Sequence, residues 1–198
     1  MEWQFFLSVL VFAIVMTGTP GPNNVMLTAS GANFGYKRSI PHFLGISLGL
    51  ISMIFMLAAG LSATFKAYPE IQEAMKWMGS AYILYLALKI AKTSPVSLNG
   101  EKEHKPMSFL EAAIFQYMNP KAWMMMVTAI GSFSLAGESY WLSVAYIALI
   151  FFITQLHTSS LWVGFGSLLG RWLSNPSAWR RFNFGMGALT ASCVAFMW

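Results

Sequence analysis

Two short stretches of this 198-residue chain hold residues whose types could bind a ligand inside an otherwise apolar sequence: "TPGPNNV" (19–25) and "QYMNPKAW" (116–123). Proline lacks an N–H and disfavours helix at the residue before it, so Pro20 and Pro22 predict a break at 19–22, and Pro120 predicts one after Asn119. Each break would start a new half-helix, with proline at its first position. A helix N-terminus presents unpaired N–H groups and about half a positive charge, which suits an anion. Lys121 adds a full charge. Pro20, Gly21, Pro22, Asn23, Asn24, Gln116, Asn119, Pro120 and Lys121 therefore form a candidate substrate-binding set with the chemistry to hold a carboxylate. Plainer readings are a packing kink at the prolines, and a lysine that snorkels to the interface along its stem. Gln155 and His157, in "FFITQLHTSSLW", are candidates for a surrounding shell or a proton path; satisfied polar packing is the alternative.

Other chemistries lack their residues. The sequence contains no aspartate, one cysteine (Cys193) and three scattered histidines (His42, His104, His157), so no metal-ligand spacing occurs and no intrachain disulfide can form. Hydrolysis within a membrane would need a Ser–His or Ser–Lys pair, paired aspartates or a metal, and neither His157 nor Lys121 has a nucleophile at a defensible spacing. No enzyme, cofactor or metal is expected.

The elements that would position these residues are membrane helices. Hydrophobic residues make up 57% of the chain and charged ones 10%, against about 25% charged in soluble domains. Apolar runs cover residues 4–34, 40–65, 73–91, 109–134, 140–169 and 179–198, close to the roughly 20 residues a spanning helix needs. Trp3, Trp77, Trp141, Trp172 and Trp198 fall near their ends, as interfacial aromatics do. The N-terminus carries Glu2 where a signal peptide is basic, and is read as part of the mature fold. Lys37 and Arg38, then Lys89, Lys92, Lys102 and Lys105, then Arg171, Arg180 and Arg181 sit in or beside alternate loops. That places those loops in the cytoplasm and both termini outside, and accounts for the net charge of +5 without a nucleic-acid partner.

A polar linker at 92–108 divides the chain into 1–91 and 109–198, with three spans each. An odd number of spans makes the halves inverted relative to one another, and the fourth span then corresponds to the first. The expected fold is an all-α integral membrane protein of six transmembrane helices in two inverted three-helix repeats, with helices 1 and 4 broken. Gly/Pro-interrupted segments at matching positions of two halves point to a transporter's binding site. By helical rise, Lys121 lies about 18 Å from Phe109 and Asn24 about 20 Å from Lys37, a common depth. "GISLG" (45–49) and "GSLLG" (166–170) are small-residue patterns that predict close helix packing.

"TPGPNNVMLTASGANFGYKRSIPHFLGISLG" (19–49) and "NPKAW" (119–123) resemble the lysine exporter / homoserine–threonine exporter (LysE/RhtB) family. The resemblance implies a bacterial inner-membrane amino-acid exporter, exchanging substrate for protons by alternating access. The first motif of the family matches Pro20 to Asn24, and the second matches Asn119 to Lys121. Many members have aspartate where this chain has Leu50, which removes an acid-based coupling or cation site and argues against lysine or arginine as substrate. The pattern is similar to the cysteine/O-acetylserine branch, implying a small neutral amino acid or derivative. Its carboxylate would sit at the N–H groups after Pro22 and Pro120 with Lys121 as counter-charge. Its ammonium would meet carbonyls at Thr17–Thr19, or an aromatic face such as Trp123 or Trp162. Lys121 is also a candidate proton carrier. An uncoupled facilitator and a membrane scaffold are the alternative functions, and a homodimer is compatible with so small a bundle.

Overall fold

The computed structural model describes residues 3–61, 67–93, 105–173 and 175–197, which contain helices and no strand. Eight α-helices follow in order: α1 (Trp3–Gly18), α2 (Pro22–Phe34), α3 (Ile40–Met56), α4 (Pro69–Ala91), α5 (Phe109–Met118), α6 (Pro120–Phe133), α7 (Tyr140–Trp172) and α8 (Pro176–Ser192). Proline occupies the first or second position of α2, α3, α4, α6 and α8, where its missing N–H costs no helical bond. Ser108 opens α5 with a capping box: its hydroxyl accepts from the Glu111 amide (3.3 Å), and the Glu111 carboxylate accepts from the Ser108 amide (2.8 Å). Glu111 is therefore an exposed helix cap.

Glycines bring the helices together. α2 packs most extensively on α7, and α3 on α5. A Cβ at Gly31 would overlap the Val163 carbonyl, and one at Gly166 would overlap that of Thr28. At Gly170 it would lie 2.7 Å from the Ala32 carbonyl oxygen. Across the other seam, Gly45 faces the Phe109 carbonyl and Gly49 that of Ala113. Both small-residue patterns read from the sequence lie in these seams, where hydrogen in place of a side chain admits backbone-to-backbone contact. α4 packs on α8, α7 also contacts α1 and α3, and Phe115, Phe151, Leu27, Met53 and Ile147 fill the centre.

Two helical stretches are long and apolar enough to cross a membrane alone, Lys37–Leu61 and Gly137–Trp172. A third is obtained if α1 and α2, bent by 59° at their break, count as one span. The other expected spans do not qualify by length and hydropathy, for visible reasons. α4 begins with Glu70, Glu73 and Lys76, the fourth span is interrupted at Asn119, and the 17-residue α8 carries Arg180, Arg181 and Asn183. Trp3, Trp77, Trp141 and Trp172 are all exposed, while Trp198, Lys66, Lys102, His104 and most of the 92–108 linker lie outside the described residues. Asn183 ties three helices at one end of the bundle, donating to the Thr93 carbonyl (2.7 Å) and exchanging two bonds with Asn33 (2.7 and 2.9 Å).

The seams give a stability prediction. Gly166→Val should destabilise the protein by about 1–3 kcal/mol, as overpacking of a filled interface does. Gly164→Ala, two residues away with nothing within 4 Å of the added carbon, should leave stability unchanged or raise it. Thermal unfolding in detergent separates the two; equal loss in both would mean the seam is not what the glycine serves.

Candidate functional site

The first break begins where α1 runs out of donors. Pro20 and Pro22 cannot supply the N–H groups that the carbonyls four residues earlier would use, and Gly21 is fully extended at φ −174° and ψ −179°. The carbonyls so denied are those of Met16 and Gly18; the carbonyls of Thr17 and Thr19, at the end this break gives to α1, are taken by a side chain. The Asn24 amide, buried at 3% exposure, donates to Thr17 O (2.9 Å) and Thr19 O (2.8 Å), clamping the end of α1 to the first turn of α2. The Thr17 hydroxyl donates back to Ala13 O (2.8 Å), and that of Thr19 to Val15 O. The first ladder bond of α2 runs from Val25 N to Gly21 O (3.0 Å), and Gly21 supplies no side-chain cap. Among the described residues the backbone N–H groups of Asn23 and Asn24 have no protein acceptor.

The second break is built differently. Asn119, with φ −94° and ψ 108°, ends α5 and caps α6: its side-chain oxygen accepts from the Lys121 amide (3.2 Å), and its carbonyl accepts from Ala122 and Trp123 (3.0 and 3.2 Å). This N-terminus is largely closed by its own cap, so the open donors of the site belong to α2. What the second break contributes is Lys121. Its ammonium donates to Thr19 O (2.5 Å), and its stem lies on Gly21, where an added Cβ would sit 3.0 Å from Cδ. Gln116, fully buried and fixed by a bond to Ala112 O (2.9 Å), exchanges two bonds with Asn23 (2.8 and 3.2 Å). Gly49 sets its position, since a Cβ there would stand 2.8 Å from Gln116 Cγ.

Gly21, Asn23, Asn24, Asn119 and Lys121 thus border one cavity with Thr17, and Gln155 from α7 reaches it too, donating to Ser159 (2.8 Å). About 20 Å³ is open to a water-sized sphere, room for about one water. Among the described residues no acidic side chain lines it. Pro20 is exposed, Pro22 is buried as the start of α2, and Pro120 borders a separate cavity of about 300 Å³, apolar apart from Lys76, that also touches Trp123. His157 is not brought to the site: it is exposed on α7 and bonded to Ile153 O of its own helix (2.8 Å). Trp162 does not line the cavity either, and Trp123 donates to Tyr117 O (2.8 Å). Cys193, half-buried, donates to Leu189 O (3.3 Å). The clamp made by Asn24 was not visible in the sequence, although an asparagine beside a double-proline break is the signal for one.

Polar groups gathered at helix breaks inside an apolar helical bundle are the build of a membrane translocator. The profile of the LysE type translocators matches residues 14–197, and the chain belongs to that family. It is 35% identical over 125 residues to the cysteine/O-acetylserine efflux protein of Escherichia coli strain K12, and equally to that of Shigella flexneri serotype 5b. Each alignment covers 63% of this chain and 63% of the relative, so the matched part falls short of two thirds of their length. No solved structure matches.

The clamp can be tested by Asn24→Leu, which is nearly the same size but leaves the Thr17 and Thr19 carbonyls without that donor. The expected loss is about 1–3 kcal/mol, the cost of unsatisfied buried polar groups, read as a fall in unfolding temperature in detergent. Unchanged stability would mean that the break holds without Asn24.

Proposed function

We propose that this protein exports small neutral amino acids or close derivatives from the bacterial cytoplasm, with cysteine and O-acetylserine as the first candidates. The observation that carries the reading is the convergence of the uncapped N-terminus of α2 and the Lys121 ammonium on one cavity at the two breaks. The relatives' names supply the substrate class. The proposed architecture is six spans in two inverted repeats, α1–α4 and α5–α8. The helix pairings support it, because they map onto themselves when the halves are exchanged. The first broken span packs on α7 and the second on α3, α3 also packs on α7, and α4 packs on α8. Lys37, Arg38, Lys89, Lys92, Lys105, Arg171, Arg180 and Arg181 belong to the helix ends gathered around Asn183 and Gly45, which supports a cytoplasmic side there and an inner-membrane orientation with both termini outside.

In the proposed cycle the substrate carboxylate takes the open N–H groups of Asn23 and Asn24, favoured by the helix dipole. Its ammonium takes the Thr19 carbonyl. Lys121 already holds that carbonyl with an ammonium of its own, so the protonated lysine and the substrate compete for one acceptor. Competition of this kind gives antiport. Substrate binding on the cytoplasmic side displaces Lys121 and releases its proton, and a proton arriving from outside restores the Lys121–Thr19 bond and expels the substrate. The cavity must widen to admit an amino acid, and alternating access supplies that step. As a simple counter-charge to the carboxylate, Lys121 would instead travel with the substrate, and the two roles are separable by experiment.

The test uses inside-out vesicles with an acidic lumen and labelled O-acetyl-L-serine. Wild-type protein should take up the label only when the gradient is present. Lys121→Gln should lose the gradient-driven uptake, by at least tenfold, and keep exchange of labelled for unlabelled substrate. Loss of both would make Lys121 the carboxylate's counter-charge. Wild-type uptake indifferent to the gradient would mark a facilitator, and the absence of uptake for any amino acid, with folded protein, would overturn the export reading.

A further inference from the structure

A second cavity lies at the other end of α2, with polar side chains set among apolar ones such as Met26, Leu86 and Met107, and nothing in the transport cycle above uses it. It has about 60 Å³ open to a water-sized sphere and is bordered by Ser30 and Asn33 of α2, His42 of α3, Lys89 and Thr93 at the end of α4, and Lys105 before α5. Most of these polar groups are engaged. Ser30 bonds Ser39 (2.8 Å), the Asn33 amide bonds Ala29 O and Asn183 (2.8 and 2.7 Å), and the Thr93 hydroxyl bonds Lys89 O (2.9 Å). Among the buried ones the exception is His42. It is 2% exposed, and neither ring nitrogen has a hydrogen-bond partner. A buried imidazole with both nitrogens unpaired is uncommon in a native fold and calls for a partner from outside the chain. Two exposed lysines, Lys89 and Lys105, stand at the same cavity. The acid whose field reaches His42, Glu111, has its carboxylate on the Ser108 amide.

We propose that this cavity is a second carboxylate-binding site, where the amino acid is captured before it reaches the break between α1 and α2. The groups left to a ligand are two ammoniums and an imidazole that presents one donor and one acceptor nitrogen, and the two positive charges make the ligand end they recognise a small anion. The volume suits a carboxylate with a few waters and excludes a nucleotide. The zwitterion's ammonium would meet the negative C-terminal end of α2, since Asn33 and Phe34 also border the cavity. One rigid helix of 13 residues, about 18 Å long, thereby carries an ammonium-seeking end and a carboxylate-seeking end. As a loading site the cavity rests on the export reading; as an anion site it does not, and the experiment separates the two.

Protein with ¹⁵N-labelled histidine, solubilised in detergent, is titrated with sodium acetate, sodium phosphate and methylammonium chloride at constant total salt, and His42→Gln assigns the His42 ring signals. Acetate should move those signals saturably and methylammonium should not. Lys89→Gln with Lys105→Gln should weaken the acetate response at least tenfold. In vesicles the same double variant should raise the KM for O-acetyl-L-serine at least threefold. No saturable acetate response in folded wild-type protein, a response unchanged in the double variant, or a stronger response to phosphate would each overturn the carboxylate site, while intact amino-acid uptake would leave the export reading standing. A persistent acetate response with no uptake of any amino acid would keep the site and remove the transporter's assigned substrate.

Discussion

Within a bilayer every backbone N–H and C=O must find a partner inside the protein or in a cavity the protein encloses, because the lipid supplies none. The arrangement around residues 17–24 turns on that constraint. The two prolines deny donors to the carbonyls of Met16 and Gly18 and so end α1, and Asn24 reaches back across the break to bond the neighbouring carbonyls of Thr17 and Thr19. The clamp holds the Thr17 and Thr19 carbonyls at the 59° bend between α1 and α2 and leaves the Asn23 and Asn24 N–H groups open to the cavity. It also leaves Thr19 with capacity for a second donor, which Lys121 uses. The bend, the lysine's placement and the cavity between them all follow from how one asparagine settles a backbone debt.

The two breaks look alike in sequence and differ in chemistry. Asn119 turns its side chain onto the α6 backbone and closes that terminus, whereas Gly21 has no side chain with which to close α2. The glycine serves twice, since its bare Cα also admits the Lys121 stem. One break therefore offers backbone donors and the other a mobile charge. The proposed exchange uses that division, since the backbone donors would hold the carboxylate while Lys121 and the substrate's ammonium contend for the Thr19 carbonyl.

Much of this was legible in the residues themselves. Proline positions mark where α2 and α6 begin, and the glycine pairs at 45–49 and 166–170 mark the seams, because both effects depend on a single residue's geometry. Lys121 stood out because a lysine in an apolar run needs a reason. Contacts between residues far apart in the chain were not legible. Nothing local says that Asn33 meets Asn183, that Gln116 meets Asn23, or that His42 is buried without a partner. His157 shows the reverse limit: its depth along α7 could be counted, but the side of the helix it occupies depends on how α7 packs.

The glycine seams have a mechanical consequence. Where α2 meets α7, and where α3 meets α5, backbone rests on backbone, and a slide by one residue would drive a neighbouring Cβ into a carbonyl. Close backbone contact of this kind resists sliding of one helix along the other. The chain crosses between stiff segments at Gly21 and at Asn119, the two extended residues in the helix breaks. In the proposed alternating access these two residues would be the pivots, with the bond from Lys121 to Thr19 as the latch between the lever arms.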